Sequence, residues 1–167
     1  QKQLIDYKGI GMTAYNMRFH PSVQETKKIL TSGNLGKIYS GRFFVGQYLP
    51  DWKPGTDYSK SYSASRELGG GVLFDLIHEI DLACYLVGEP LGKVACQVDN
   101  ISNLQIDTED LAEILYRTEN QSFVSIHLDY LSRGYKRYIE VVGERGSLQA
   151  DLFTNKVTII SERGEAE

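Results

Sequence analysis

Two cysteines, one tryptophan and four prolines are all that the 167 residues hold of these types. Cys84 and Cys96 have no CxxC or metal-ligand spacing, which excludes a disulfide framework. They read as small hydrophobes in apolar surroundings, in a protein of the reducing cytoplasm. Apolar runs are only a few residues long, far short of the ~20 needed to span a bilayer, so no membrane partner is expected. Positive charge is not in excess: 18 Lys and Arg face 22 Asp and Glu, for a net charge of −4. Without a basic stripe to neutralise phosphates, nucleic acid is excluded as a partner. No repeat, low-complexity tract or signal peptide is present. The first residue is Gln1 and the first methionine is Met12, so the sequence is expected to begin within a longer protein.

What is present is 41% hydrophobic and 11% aromatic, enough for one packed core at this length. Residues 1–167 therefore read as one domain. Residues 1–8 have the pattern of a helix tail closed by Gly9, and residues 12–19 that of a short strand. Pro21 suits the first position of a helix over 23–30, stopped by Gly33. Residues 37–49 alternate with period two, as a strand does. Residues 50–67 carry two prolines, a glycine and three aromatics, which predicts a long, ordered, functional loop. Gly69-Gly70-Gly71 open a helix to about Leu86, closed by Gly88 and Pro90. Six β-rich segments follow (94–101, 112–117, 122–130, 135–142, 147–152, 157–160), separated by turn signals, and predict an antiparallel meander. The fold class expected is α+β: an open, mostly antiparallel sheet covered on one face by helices. The second face, to which Tyr116, Phe123, Tyr135 and Tyr138 are assigned, is too apolar for open water. A homo-oligomer through that face is expected.

Gly9 to Ala14 matches the dinucleotide pattern GxGxxG/A, but the mechanism needs a strand before it and a helix after it. The predicted order is the reverse, so no cofactor-binding residue is assigned in this chain. The segment GGGVLFDLIHEID, residues 69–81, carries more chemistry. Its glycines would let helix N-terminal amides approach a ligand. Asp75 and His78, three apart, would share one face of a mostly buried helix. A carboxylate beside an imidazole tunes its proton affinity, and such a pair can act as general acid or base. The alternative is a structural Asp–His hydrogen bond, with Asp81 paired to a nearby arginine. Two ligands without cysteine fall short of a zinc site, so no metal is expected. His20 at a helix entry and His127 on a polar strand face add little.

Tyr15-Asn16-Met17-Arg18-Phe19-His20-Pro21 resembles the Y-N-x-R-F-x-P segment that opens the C-terminal domain of the glucose–fructose oxidoreductase/inositol dehydrogenase (Gfo/Idh/MocA) family. Residues 69–81 resemble that family's GGGxxxD…HxxD helix, and residues 143–148 its late GxxGSL turn. The resemblance covers nearly the whole chain. It implies an NAD(P)-dependent dehydrogenase of sugars, cyclitols or their derivatives, whose Rossmann domain and E-K-P lysine would precede Gln1. Under it, His78 is the catalytic histidine and Asp75 the catalytic or substrate-orienting aspartate. Tyr15, Asn16 and Arg18 would lie near substrate and nicotinamide, and Trp52, Lys53, Tyr58 and Lys60 would bound the sugar. One departure stands out: many members space the pair DxxxH, and this chain has DxxH. One residue turns Asp75 by about 100° relative to His78, which suits an orienting carboxylate. The competing readings are a catalytically silent carbohydrate-binding domain, with Trp52, Tyr48 and Tyr58 stacking on sugar, and a dimerisation module.

Overall fold

The computed structural model describes residues 8–161 and 164–166. The expected helix tail at 1–8 lies outside this range, apart from Lys8. Residues 8–15 are irregular and lead into a 3₁₀ turn, Asn16–Phe19, in place of the expected strand. Ile10 and Met12 are 95% and 85% exposed, so no neighbouring strand rewards their extension. Pro21 then opens helix α1 (Pro21–Thr31) from its first turn, where a missing amide costs nothing. Strand β1 (Ile38–Gly46) buries Gly41, Phe43 and Val45 and turns Arg42 and Phe44 to the other face.

The helix expected from Gly69 to Leu86 is two helices, α2 (Val72–Asp75) and α3 (Ile77–Leu86), broken at Leu76 with φ −106° and ψ 24°. The break lets buried Leu76 enter the core while Asp75 turns to Tyr130. The glycines before α2 do not present amides to a ligand. Gly69, Gly70 and Gly71 donate to the carbonyls of Arg66, Ser65 and Ser63, and Val72 donates to that of Glu109. Their lack of side chains serves close backbone packing against the 50–67 loop, which is folded into three 3₁₀ turns.

The remaining strands are β2 (Ala95–Asp99), β3 (Leu111–Arg117), β4 (Phe123–Asp129), β5 (Lys136–Gly143), β6 (Gly146–Asp151), β7 (Lys156–Ser161) and β8 (Gly164–Ala166). Among the described residues they form one open sheet of eight strands, β2-β3-β4-β1-β5-β6-β7-β8, antiparallel except where β1 pairs with β4. The meander is thus interrupted once: β4 and β5 are sequential but flank β1. Phe43, fully buried, lies level with Ile126 on one side and Ile139 on the other. The connection over 130–135 steps across the ~10 Å between second-neighbour strands.

Helices cover one face. Val23, Val72, Leu76, Leu82 and Leu86 pack with Phe43, Val124, Ile126, Ile139, Val141 and Leu148. Tyr116 belongs to this covered face, its hydroxyl donating to the Gly88 carbonyl, and Tyr135 packs at the core's margin; neither is on the open face as expected. The open face carries Phe123 and Tyr138 with Phe44, whose ring stacks on His127 at 4.5 Å and on Tyr138 at 4.9 Å. Cys84 is half-buried, whereas Cys96 is exposed on β2, opposite Ile114. No helix among the described residues is long and apolar enough to cross a membrane.

A methyl group on Gly70 would strike the carbonyl oxygens of Tyr62 and Ser63, whereas Gly69, at φ 82°, has open space around it. Gly69→Ala should cost about 1 kcal/mol in backbone strain. Gly70→Ala should exceed it, at roughly 1–3 kcal/mol from overpacking against main chain that cannot swing aside. Thermal melts of the two variants measure the order.

Candidate functional site

Asp75 ends α2 where the chain breaks, and its Oδ2 accepts a 2.7 Å hydrogen bond from the Tyr130 hydroxyl. Tyr130 follows β4 and is fully buried. Its ring meets Trp52 edge to face, with centroids 5.3 Å apart. Trp52 is held by its indole N–H, which donates to the Gln47 carbonyl at 3.2 Å. Asp75, Trp52 and Gln47 line one cleft of about 420 Å³ together with Tyr135, Arg137 and Phe153.

Arg137 is the charged floor of this cleft. Its Nε and Nη2 donate to Glu79 at 2.6 and 2.8 Å, and its Nη1 to the Tyr135 hydroxyl at 3.4 Å. The pair is nearly buried, with side-chain exposures of 12% and 3%. Burial works against the Arg137 charge and Glu79 more than restores it. Among the described residues, three of the five guanidinium N–H groups are thus engaged.

His78 lies in the first turn of α3, beside Glu79. The expected shared face with Asp75 does not exist, because the break at Leu76 puts the two on different helices. No hydrogen bond joins them among the described residues; Asp75 is engaged by Tyr130 instead. The Nδ1 of His78 is buried without a partner. Its ring meets Tyr15 edge to face at 6.4 Å. Tyr15 leads to Arg18, which grips Asp81 at 2.8 and 2.5 Å and lies 4.9 Å over the Tyr85 ring. Asp81 is therefore the carboxylate paired with an arginine, and the Arg18 charge is spent on it.

Among the other expected residues, Asn16 is exposed in the 3₁₀ turn. Lys53 and Tyr58 line a separate, narrower pocket with Leu49, Trp52 and Tyr62. Tyr58 accepts there from the Gln105 amide at 3.2 Å. Lys60 lies away from the cleft, 82% exposed and paired with Asp57 at 3.0 Å. Trp52 and Asp75 thus come together, Tyr15 meets His78, Arg18 binds Asp81, and neither lysine lines the Asp75 cleft. No group of three or more potential metal ligands occurs among the described residues.

Gln47, Tyr135, Arg137 and Phe153 in the cleft lining, and Tyr130 buried behind Asp75, are the residues that sequence reasoning missed. Arg137 had a signal: it shares strand parity with Ile139 and Val141, so a charge sits on the core-facing side. Tyr130 likewise continues the parity of Ile126 and Leu128.

Burial, then the Arg137 charge, lowers the His78 proton affinity below the ordinary imidazole value, against a smaller pull from Asp81. The same two causes lower that of His20. On the open face His127 is raised instead, mainly by its 2.8 Å bond to Asp129 and then by Glu113 at 2.5 Å.

Over residues 23–149 the sequence matches the GFO/IDH/MocA C-terminal domain, and the chain belongs to that family. A levoglucosan dehydrogenase from Pseudarthrobacter phenanthrenivorans is 39% identical over 82 residues, 48% of this chain and 20% of that protein. The myo-inositol 2-dehydrogenase of Thermotoga maritima is 27% identical over 161 residues, 92% of this chain and 45% of that protein. The chain thus spans less than half the length of these relatives. Among solved structures, levoglucosan dehydrogenase in complex with NADH and levoglucosan superposes with a TM-score of 0.78 at 25% identity, over 91% of this chain and 43% of that one.

The three imidazoles should titrate apart. His78 and His20 should protonate below pH 6.5 and His127 above it, read from ring C–H shifts by NMR. For His20 and His78 the unfolded chain binds protons first, so stability falls as the pH drops below 6.5. For His127 the sign reverses: its contribution is complete below 6.5 and is lost as the pH rises through its raised value.

Proposed function

We propose that this chain is the substrate-side domain of an NAD-type oxidoreductase acting on a sugar, cyclitol or sugar derivative, with the dinucleotide-binding domain elsewhere in the protein. The observation that carries the reading is His78: an imidazole in the first turn of α3, its Nδ1 buried without a hydrogen-bond partner among the described residues and its proton affinity lowered by burial and Arg137. Such a group is neutral at physiological pH and can take a proton from a substrate hydroxyl as its carbon is oxidised. Asp75, fixed by Tyr130, orients the substrate rather than the imidazole. Trp52 and Gln47 supply a flat apolar surface and an amide, the usual means of holding a ring with many hydroxyls. Tyr15 buttresses His78, while Lys53, Tyr58 and Lys60 belong to the outer loop. Gly9 to Ala14 is irregular and followed by a 3₁₀ turn, so the described residues do not form the strand–turn–helix cradle of a pyrophosphate. The redox partner, NAD or NADP, is accordingly assigned to the other domain. The two free cysteines agree with a cytoplasmic protein.

In the full-length protein, His78→Asn should lower kcat by about 10²–10⁴-fold, the span of one general acid–base group, with an unchanged melt. Asp75→Asn should cost less, since an amide oxygen still accepts from Tyr130. The acidic limb of the His78-dependent pH profile should lie below 6.5. Near-normal turnover in His78→Asn with a lowered melt would make His78 a structural residue and overturn its catalytic role.

The open sheet face is proposed to pair with a second copy. Leu115, Phe123, Val142 and Ile160 are 45–54% exposed there, flanking the Phe44–Tyr138 stack. Val142→Glu should shift the chain to a monomer in light scattering without lowering its melt; a wild-type monomer at high concentration would refute the pairing.

A further inference from the structure

Phe153 stands 69% exposed on the turn between β6 and β7, at the mouth of the Asp75–Arg137 cleft. Its turn is held from both sides. The amides of Phe153 and Thr154 each donate to Asp151 Oδ1 at 2.8 Å. Asn155, at φ 58°, accepts from the Ser22 hydroxyl at 2.7 Å and so anchors the turn to α1. The Phe153 ring meets Tyr135 at 73° with centroids 5.6 Å apart, and the Tyr135 hydroxyl is itself gripped by Arg137. A large apolar ring is therefore held in water by a preorganised turn, over a cleft whose floor is polar.

This arrangement repeats the one at Trp52, which Tyr130 buttresses edge to face while Tyr130 bonds Asp75. Each aromatic thus has a tyrosine behind it, and each tyrosine ends on a charged group of the cleft. A ring polyol has the matching chemistry: C–H faces that stack on aromatics, and a rim of hydroxyls that needs a carboxylate and a guanidinium. We propose that Phe153, backed by Tyr135, is a second stacking surface of the cleft and selects cyclic over open-chain polyols. This rests on the reading of the cleft as the sugar or cyclitol site.

Trp52 is the chain's only tryptophan and lines the cleft, so its fluorescence reports occupancy directly. Levoglucosan, myo-inositol and open-chain mannitol would be titrated into the wild-type chain, Phe153→Ala and Phe153→Tyr, with far-UV circular dichroism to verify the fold. Phe153→Ala should weaken the two cyclic probes by about 3- to 10-fold, the value of one aromatic contact, and leave mannitol unchanged. Phe153→Tyr, which keeps the ring, should bind as wild type. Cyclic probes bound equally by wild type and Phe153→Ala would overturn the stacking surface and leave the site reading standing. So would an equal loss for mannitol, which would mark general damage to the turn. No Trp52 response to any probe in the wild type would overturn both.

Discussion

The Glu79–Arg137 ion pair is the constraint on which the rest of the site depends. It joins the first turn of α3 to the start of β5 through two bonds of 2.6 and 2.8 Å in a nearly dry environment. Two charges taken from water repay their desolvation only with such bidentate geometry, and removing either partner strands the other. Because Glu79 follows His78, the pair fixes where the imidazole stands relative to the sheet. Because Arg137 is a permanent cation, it adds to the larger effect of burial in lowering the proton affinities of His78 and His20. Through Tyr135 it reaches the wall of the cleft. One interaction thus sets helix placement, proton affinity and cleft shape.

The break at Leu76 follows from the same demand. A continuous helix would keep Asp75 and His78 about 60° apart at three residues' spacing, with both bound to one orientation. Separate helices let Asp75 answer to Tyr130 and His78 to the α3–β5 junction. The shortened DxxH spacing is thereby accommodated in the backbone rather than in the side chains. The three glycines contribute by bringing the main chain against the Tyr62–Ser63 segment, so the loop carrying Trp52 is bonded to the start of the helix carrying Asp75.

The sheet divides its labour by face. The covered side supplies the core and, at the end where β1, β4 and β5 meet the loops, the groups of the cleft. The open side mixes the Phe44–His127–Tyr138 stack with the Glu113–His127–Asp129 chain of bonds. A face of this kind is neither a core nor an ordinary solvated surface, and it keeps its register through polar pairs while exposing apolar edges.

Much of this was legible in the sequence because period-two alternation and turn residues act locally. The strands from 94 to 160, the entry of α1 at Pro21 and the ordered loop at 50–67 emerge where those signals place them. The helical character of the segment at 69–86 was legible too, though not its break. Other features depended on partners distant in sequence. The insertion of β1 between β4 and β5 is one, because pairing strands compete for the most apolar neighbour and not for the nearest in sequence. The break at Leu76, the burial of Tyr116 and the transfer of Asp75 from His78 to Tyr130 are others. Each was decided by a side chain fifty or more residues away, or by a core position that only the packed sheet creates. Local patterning specified which elements form; the low dielectric of the assembled interior, where an unpaired charge or hydroxyl is costly, decided which of their residues meet.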